Sequence, residues 1–424
     1  MDAVKQSQPV TSPGPRVIWR IVTAVAFLLA AWPYVGTTAA GAAVRPLAAR
    51  YTLHKLSMPS WAGSDLAYGF NNQGEAVGAG RTSGRVTAEI WRLSPVGAEV
   101  KRTDVTPPKG YAGDAFAAVN DRQVAVGSVV TRADASNDVR TYPAAFNGKT
   151  WTVFRSSKEA SLQGTANAIA TNGVVEADLY DKSIQTPAAA VITPLAKVGY
   201  GLPRFLPLPR NAIQSSGRAA FSTGAVSVVG GFEDVQATRS QIDELPVVWI
   251  NGKGPYPINT SQLPANQPNF DVTAVFGSSP KDIYITGYGY ATTSGVTGQM
   301  SFWAHIDASG VKPLIGKARA IPVHSGVPFA YVVSIGGGPG GVLGTFTLGG
   351  AIADYAGTYS AAVWTAHTVH HALSFDTFTI VNQPSSGIDC PTFQVMAIDA
   401  QGDGVGDGYC NGGLAPLTYF RSQG

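Results

Sequence analysis

An internal repeat of about 55 residues runs through most of the chain, and it decides the class of fold. Each copy opens with a short apolar strand, an Asn- or Gly-containing turn and a second strand ending in glycine. The clearest copies are Ala67-Tyr-Gly-Phe-Asn-Asn-Gln-Gly-Glu-Ala-Val-Gly78 and Ala117-Ala-Val-Asn-Asp-Arg-Gln-Val-Ala-Val-Gly127. Weaker ones end at Glu176, where the glycine is lost, and at Gly230, Gly287, Gly344 and Gly406. A small-apolar-aromatic strand follows: Ala88-Glu-Ile-Trp91, Ala144-Ala-Phe146, Ala189-Ala-Val191, Val247-Val-Trp249, Ser301-Phe-Trp303, Ala362-Val-Trp364 and Thr418-Tyr-Phe420. Six steps of about 55 residues separate Gly78 from Gly406, and six more of the same size separate Trp91 from Phe420. Two independent landmarks therefore agree on the period and on seven copies.

The segments between landmarks alternate with period two, as in Val226-Ser-Val-Val-Gly230 and Asp282-Ile-Tyr-Ile-Thr286, which is strand periodicity. A further apolar stretch after each aromatic anchor, such as Lys149–Phe154 or Phe375–Val381, makes about four strands per unit. Seven four-stranded units predict an all-β fold, a seven-bladed β-propeller over residues 46–424. A β-helix needs shorter repeats and an α-solenoid needs helical periodicity. The seventh unit stops after its third strand, Leu417-Thr-Tyr-Phe-Arg421, while the alternating segment Arg50–Met58 has no partner of its own. Open sheet edges aggregate, so the N-terminal strand is expected to close the ring as the outer strand of blade seven.

Only 13% of the residues are charged against 45% apolar, which excludes a disordered chain or a charged coiled coil. The formal net charge is +3, and Lys5, Arg16 and Arg20 against Asp2 place most of it near the N-terminus. With no basic stripe in the repeats, nucleic acid is not an expected partner. Residues 1–45 read as a separate address. An uncharged run from Ile21 to Trp32 follows Arg20, Pro33 and Gly36 break it, and Ala40-Gly-Ala42 has the small-x-small form of a signal-peptidase site. A secretory signal peptide is expected, with an uncleaved N-terminal membrane anchor as the alternative; either exports the remainder. Cys390 and Cys410 are the two cysteines, and an isolated pair in an exported chain predicts a disulfide rather than a metal site.

The strand, Asn-Gly-like turn, Val-Gly and small-aromatic strand resemble the extracellular HAF-repeat family over Leu66 to Phe420, with the His-Ala-Phe element degenerated to Ala144-Ala-Phe146 and Val247-Val-Trp249. Val228-Val-Gly-Gly231 with Trp249 also looks kelch-like. The resemblance implies an exported propeller and carries no catalytic residues with it.

Local motifs add little chemistry. His367-Thr-Val-His370-His371 falls where other units have the tight turns Asn147-Gly148 and Asn251-Gly252, so it reads as a turn and no metal is assigned to it. Asp399, Asp403 and Asp407 lack the alternate oxygens and terminal glutamate of a calcium loop. Gly336-Gly-Gly-Pro-Gly-Gly341 matches a dinucleotide fingerprint only formally, since it joins two strands instead of opening a helix. No nucleophile elbow, zinc-protease motif or phosphate loop occurs, so no cofactor and no catalytic residue is assigned.

Loop length points to one face. The segments joining strands two and three are long and polar, and a propeller gathers them on one side. They offer Arg132, Asp134, Asn137, Asp138 and Arg140 in unit two, and Glu233, Asp234, Arg239, Asp243 and Glu244 in unit four. Units five and six add Tyr288, Tyr290, Tyr355 and Tyr359, suited to stacking. The expected function is a monomeric binding or scaffold module for an extracellular or cell-envelope glycan or protein. The alternative is a propeller hydrolase or lyase on extracellular polysaccharide, which carboxylates, His and Arg clustered at the axis would favour.

Overall fold

A computed structural model describes residues 51–421 except 133–138, 155–161, 181–185, 196–198, 210, 239–240, 264–268, 294–295, 324–328, 338–341, 343, 354–358, 382–389, 391 and 411–412. The expected leader, and the candidate residues Asp134, Asn137, Asp138, Arg239 and Tyr355, lie outside the described residues. The described chain is all-β and forms seven antiparallel four-stranded sheets. The innermost strands touch in sequence from Ser64–Phe70 of blade one to Thr392–Ile398 of blade seven, and the last touches the first. That closed circle is the seven-bladed propeller. Blades three and five carry only two-residue outer strands, Arg204–Phe205 in one and Leu314–Ile315 with Arg319–Ala320 in the other.

Both chain ends close the ring. Tyr51–Lys55 pairs antiparallel with Gly413–Arg421, from Tyr51 opposite Arg421 to Lys55 opposite Leu417. Leu53 is buried there with Tyr419 and Leu417. The Cys390–Cys410 disulfide is present, spanning 20 residues of the same blade, and by loop closure contributes on the order of 3 kcal/mol. No helix among the described residues is long and apolar enough to cross a membrane.

The repeat's aromatic anchors pack between blades. Trp91, Trp249 and Trp364 are fully buried on third strands. Their indole Nε1 atoms donate to the carbonyls of Ser57, Pro207 and Pro322, each at 3.0 Å. A buried indole needs such an acceptor, and the segment that leads into each blade supplies it.

The turns between strands one and two also bind neighbouring blades together. Asn71 Oδ1 accepts the backbone N–H of Gln73 and Glu75, while its Nδ2 donates to Asn120 O in blade two at 2.9 Å. Asn120 repeats this, accepting from Arg122 and Val124 and donating to Ala170 O in blade three at 3.2 Å. Ala400 N of blade seven donates to Asn72 Oδ1 and Asn72 Nδ2 to Asp121 Oδ2 of blade two. From blade four to blade six the link becomes aromatic, with Phe221, Phe276 and Phe346 in ring contact. Gly336 and Gly337, the glycines of the false dinucleotide motif, let blade six approach blade seven. A Cβ on either would lie 2.3 or 2.4 Å from the carbonyl oxygens of Asp399 or Ala400.

Two sequence landmarks move by a few residues. The glycine read from the sequence as the end of the second strand lies within it, opposite a β-bulge that recurs in all seven inner strands. Its holders are Gly78, Gly127, Gly231, Gly287, Gly350 and Gly406, so Gly230 and Gly344 are displaced as landmarks. A Cβ at any of these six would sit 1.8–2.0 Å from a carbonyl oxygen of the bulged strand. Blade three puts Ala177, not Glu176, in this place. In blade six the long segment after Gly337 delays strand two to Thr345–Ala353, which is why Gly344 is a turn residue there.

Candidate functional site at one mouth of the axis

Aligning the seven bulges aligns the inner wall. The extra residues are Tyr68, Ala117, Asn167, Arg218, Thr273, Val333 and Met396, and all seven are half-buried. Each is followed by a small residue: Gly69, Ala118, Ala168, Ala219, Ala274, Ser334 or Ala397. Inner strands approach closely at this level; a Cβ on Gly69 would lie 2.7 Å from Ala118 Cα. The bulged residue itself is free to vary, and several reach sideways to the next blade. Asn167 Nδ2 donates to Gly217 O at 3.1 Å, and Thr273 Oγ1 to Val332 O at 3.0 Å. Arg218 Nε donates to Asp271 Oδ2 at 3.0 Å.

Arg218 is the centre of a polar cluster on the side where second strands end and third strands begin. About a third of its side chain remains exposed even though it forms part of the wall. Its charge lies between Asp271 of blade five and Asp178 of blade three, and these neighbours outweigh the burial that would lower its pKa. Asp178 accepts from Ser216 Oγ at 2.5 Å and from Gly217 N at 2.9 Å. Burial raises its pKa, and Arg218 opposes that. Burial likewise pushes Asp271 up to about 6 against the pull of Arg218. Glu244 reaches about 7 through burial first and then the charges of Asp271 and Asp234. Its backbone N–H donates to Asn269 Oδ1 at 3.3 Å, tying the tip of blade four to blade five.

Tyrosines continue the rim into blades five and six. Tyr331 lies between Tyr288 and Tyr359, with ring centroids 5.6 and 5.8 Å away. Burial, then the nearby Asp271, holds the Tyr288 phenol up to about 12, so it stays protonated and able to donate. Tyr331 also donates to Gln394, whose Nε2 donates to Asp407 Oδ1 at 2.9 Å. The result is a cluster of carboxylates, one guanidinium, amides and phenols, groups of the kinds that bond and stack on hydroxyl-rich ligands.

The sequence candidates divide around this cluster. Asp234, held by Gln214, joins it together with Glu244, Tyr288, Tyr290 and Tyr359. Glu233 does not: it is buried on the opposite face of its strand, and burial pushes it up to about 7. Asp243 accepts from Gln241 at 2.8 Å. Arg132 is exposed on blade two, and Arg140 closes the same hairpin through its backbone bonds to Thr131. The long segments of blades four and five are strands rather than loops. Val226–Gln236 pairs with Ile242–Ile250, and Asp282–Thr293 with Val296–Asp307. These hairpins lengthen because their alternating apolar positions continue to pair past the rim.

Arg218, Asp271, Tyr331 and Gln394 escaped the sequence reading because they belong to inner strands, and Asp178 because it belongs to the second strand of blade three, not to connecting segments. One signal was present: each bulge, with its variable residue, immediately precedes the invariably small position. The three aspartates of blade seven serve separate structural ends. Asp399 Oδ1 accepts from Gln401 N and Asp403 N in the turn, and Asp407 faces Gln394.

No protein-family model matches the chain, and no curated protein does. Solved structures share the general arrangement at low similarity. The parainfluenza virus 5 hemagglutinin-neuraminidase ectodomain aligns at 9% identity over 88% of this chain and 84% of its own, with a TM-score of 0.39. A protein of unknown function from Dyadobacter fermentans aligns at 10% over 90% and 98%, TM-score 0.38. A xylan β-1,4-xylosidase from Bacillus halodurans aligns at 9% over 85% and 90%, TM-score 0.25. At these scores none of them bears on function.

Proposed function

We propose that this is an exported propeller of the HAF-repeat type that binds an extracellular or cell-envelope glycan at the axial mouth, without chemistry. The observation that carries the reading is the convergence of Arg218, Asp271, Glu244, Tyr288, Tyr331 and Tyr359 from blades four, five and six. The chain has only 27 acidic residues, so several of them gathered around one arginine is not a random surface. Tyrosine rings stack on the apolar faces of sugars, and the charged groups bond hydroxyls. The disulfide fits an oxidising location.

Calorimetric titration with soluble polysaccharide fragments tests the reading. Tyr290→Ala with Tyr359→Ala should weaken binding at least tenfold while the melting temperature holds. Binding that survives both changes would place the site elsewhere. A second reading, a polysaccharide hydrolase or lyase, draws on Asp271 and Glu244, whose raised pKa values of about 6 and about 7 suit proton transfer near neutrality. Product release abolished by Glu244→Gln with binding retained would favour it.

A further inference from the structure

A second polar cluster lies on the opposite face, among the short turns. Asp282 opens strand two of blade five, His305 stands near it on strand three, and His371 comes from the turn between strands three and four of blade six. One ligand atom from each lies within 4.8 Å of the others. His371 Nδ1 is 2.8 Å and His305 Nε2 3.8 Å from the same oxygen, Asp282 Oδ1. The two imidazole rings are 5.0 Å apart. We infer that Asp282, His305 and His371 form a divalent-metal site suited to zinc, with coordination left open to a small ligand.

The donor set is the first support. Two imidazoles and a carboxylate, with a fourth position for water, are a common set for zinc sites of the open kind. Zinc bonds of about 2.0–2.2 Å set donor atoms roughly 3.3–3.6 Å apart, so the His305 contact must shorten and the 2.8 Å His371 contact lengthen by about half an ångström each, within reach of side-chain rotation. An outer partner for the carboxylate is present, since Ser279 Oγ donates to Asp282 Oδ2 at 3.2 Å, while His305 Nε2, 2.8 Å from Lys281 O, must release that carbonyl to ligate.

Backbone conformation is the second support. His370 and His371 have φ of 48° and 62°, both in the left-handed region. Blade four builds the corresponding turn from Asn251 and Gly252, at 53° and 69°. Asn-Gly is the pair this turn favours, and although histidine is among the non-glycine residues enriched at positive φ, such residues are only a few per cent of the total. The triad gives His371 a role that the turn by itself does not, and His370 lines the adjoining cleft. The site also opens onto a cleft of about 420 Å³ lined by Ser278, Asp282, Gly344, Thr368, His370 and His371. A small ligand on the metal has space there.

The test uses the metal-stripped full chain without a histidine tag, titrated with Zn²⁺ and with Co²⁺. One equivalent should bind, raise the melting temperature, and give Co²⁺ the visible absorption of low coordination number. His370→Asn with His371→Gly installs the relaxed turn of blade four. That variant should melt no lower than the parent without metal and bind Zn²⁺ at least tenfold more weakly. Asp282→Asn should weaken binding similarly. His367→Ala, which removes the partner of Asp376 outside the triad, should bind like the parent. No uptake by the parent, or equal uptake by both triad variants, would overturn the site and leave an interblade ion pair.

Discussion

The two ends of the propeller axis are built by opposite rules. At the short-turn end, blades one and two use the same asparagine in the same way, to cap their own turn and to bond the next blade. At the other end, bulged positions that are structurally equivalent hold Tyr68, Ala117, Asn167, Arg218, Thr273, Val333 and Met396. The repeat thus specifies the frame wherever the backbone must make the same contact seven times. It leaves open the positions facing the axis, and those are where a site can be assembled from unlike residues.

The largest expected effect strikes the frame. Gly287→Val would place a Cβ 2.0 Å from Asp271 O and should cost about 3 kcal/mol or more, read by chemical denaturation. Ala177→Gly in blade three, where the equivalent place already holds a Cβ, should change stability by less than about 1 kcal/mol. Equal effects would refute the role of the glycine. Next comes Asn120→Ala, which removes two turn bonds and the bond to Ala170 and should cost about 2 kcal/mol.

A pH titration separates the two ends more gently. Burial raises the carboxyls of Asp271 and Asp407 to about 6 and Glu244 to about 7 around the mouth, and Asp65 to about 6 in blade one. Between the unfolded and folded pKa values the native state holds protons that the unfolded chain has released, so stability falls as pH rises through this range. Calorimetry should find a melting temperature at about pH 4 several degrees above that near pH 8, falling steadily between them. A flat or rising profile would mean that cations neutralise the carboxylates. The smallest expected effect is that of Tyr290→Ala. This rim side chain is 40% exposed, so its loss should shift stability by under about 0.5 kcal/mol while lowering ligand binding.

The architecture was legible because its determinants are periodic and local. Glycine opposite a bulge, an indole between blades and an asparagine in a tight turn each recur at one spacing. The incomplete seventh unit and the unpartnered Tyr51–Lys55 segment foretold their pairing, and the isolated cysteines foretold the bond between Cys390 and Cys410. Loop length pointed to the mouth where Asp234, Glu244, Tyr288 and Tyr359 gather, but also to Glu233, because alternation on an extended hairpin sends neighbours to opposite faces.

What the sequence by itself determined is the seven-fold count, the strand order in each blade and the closure of the ring, since all three follow from spacing along one chain. Only the tertiary structure decided which residues meet. Arg218 reaches Asp271 across 53 positions, and His371 reaches Asp282 across 89. Such pairs depend on the angle between blades and on the bulge that turns a side chain toward the axis. Neither pair leaves a period in the sequence, because each occurs once.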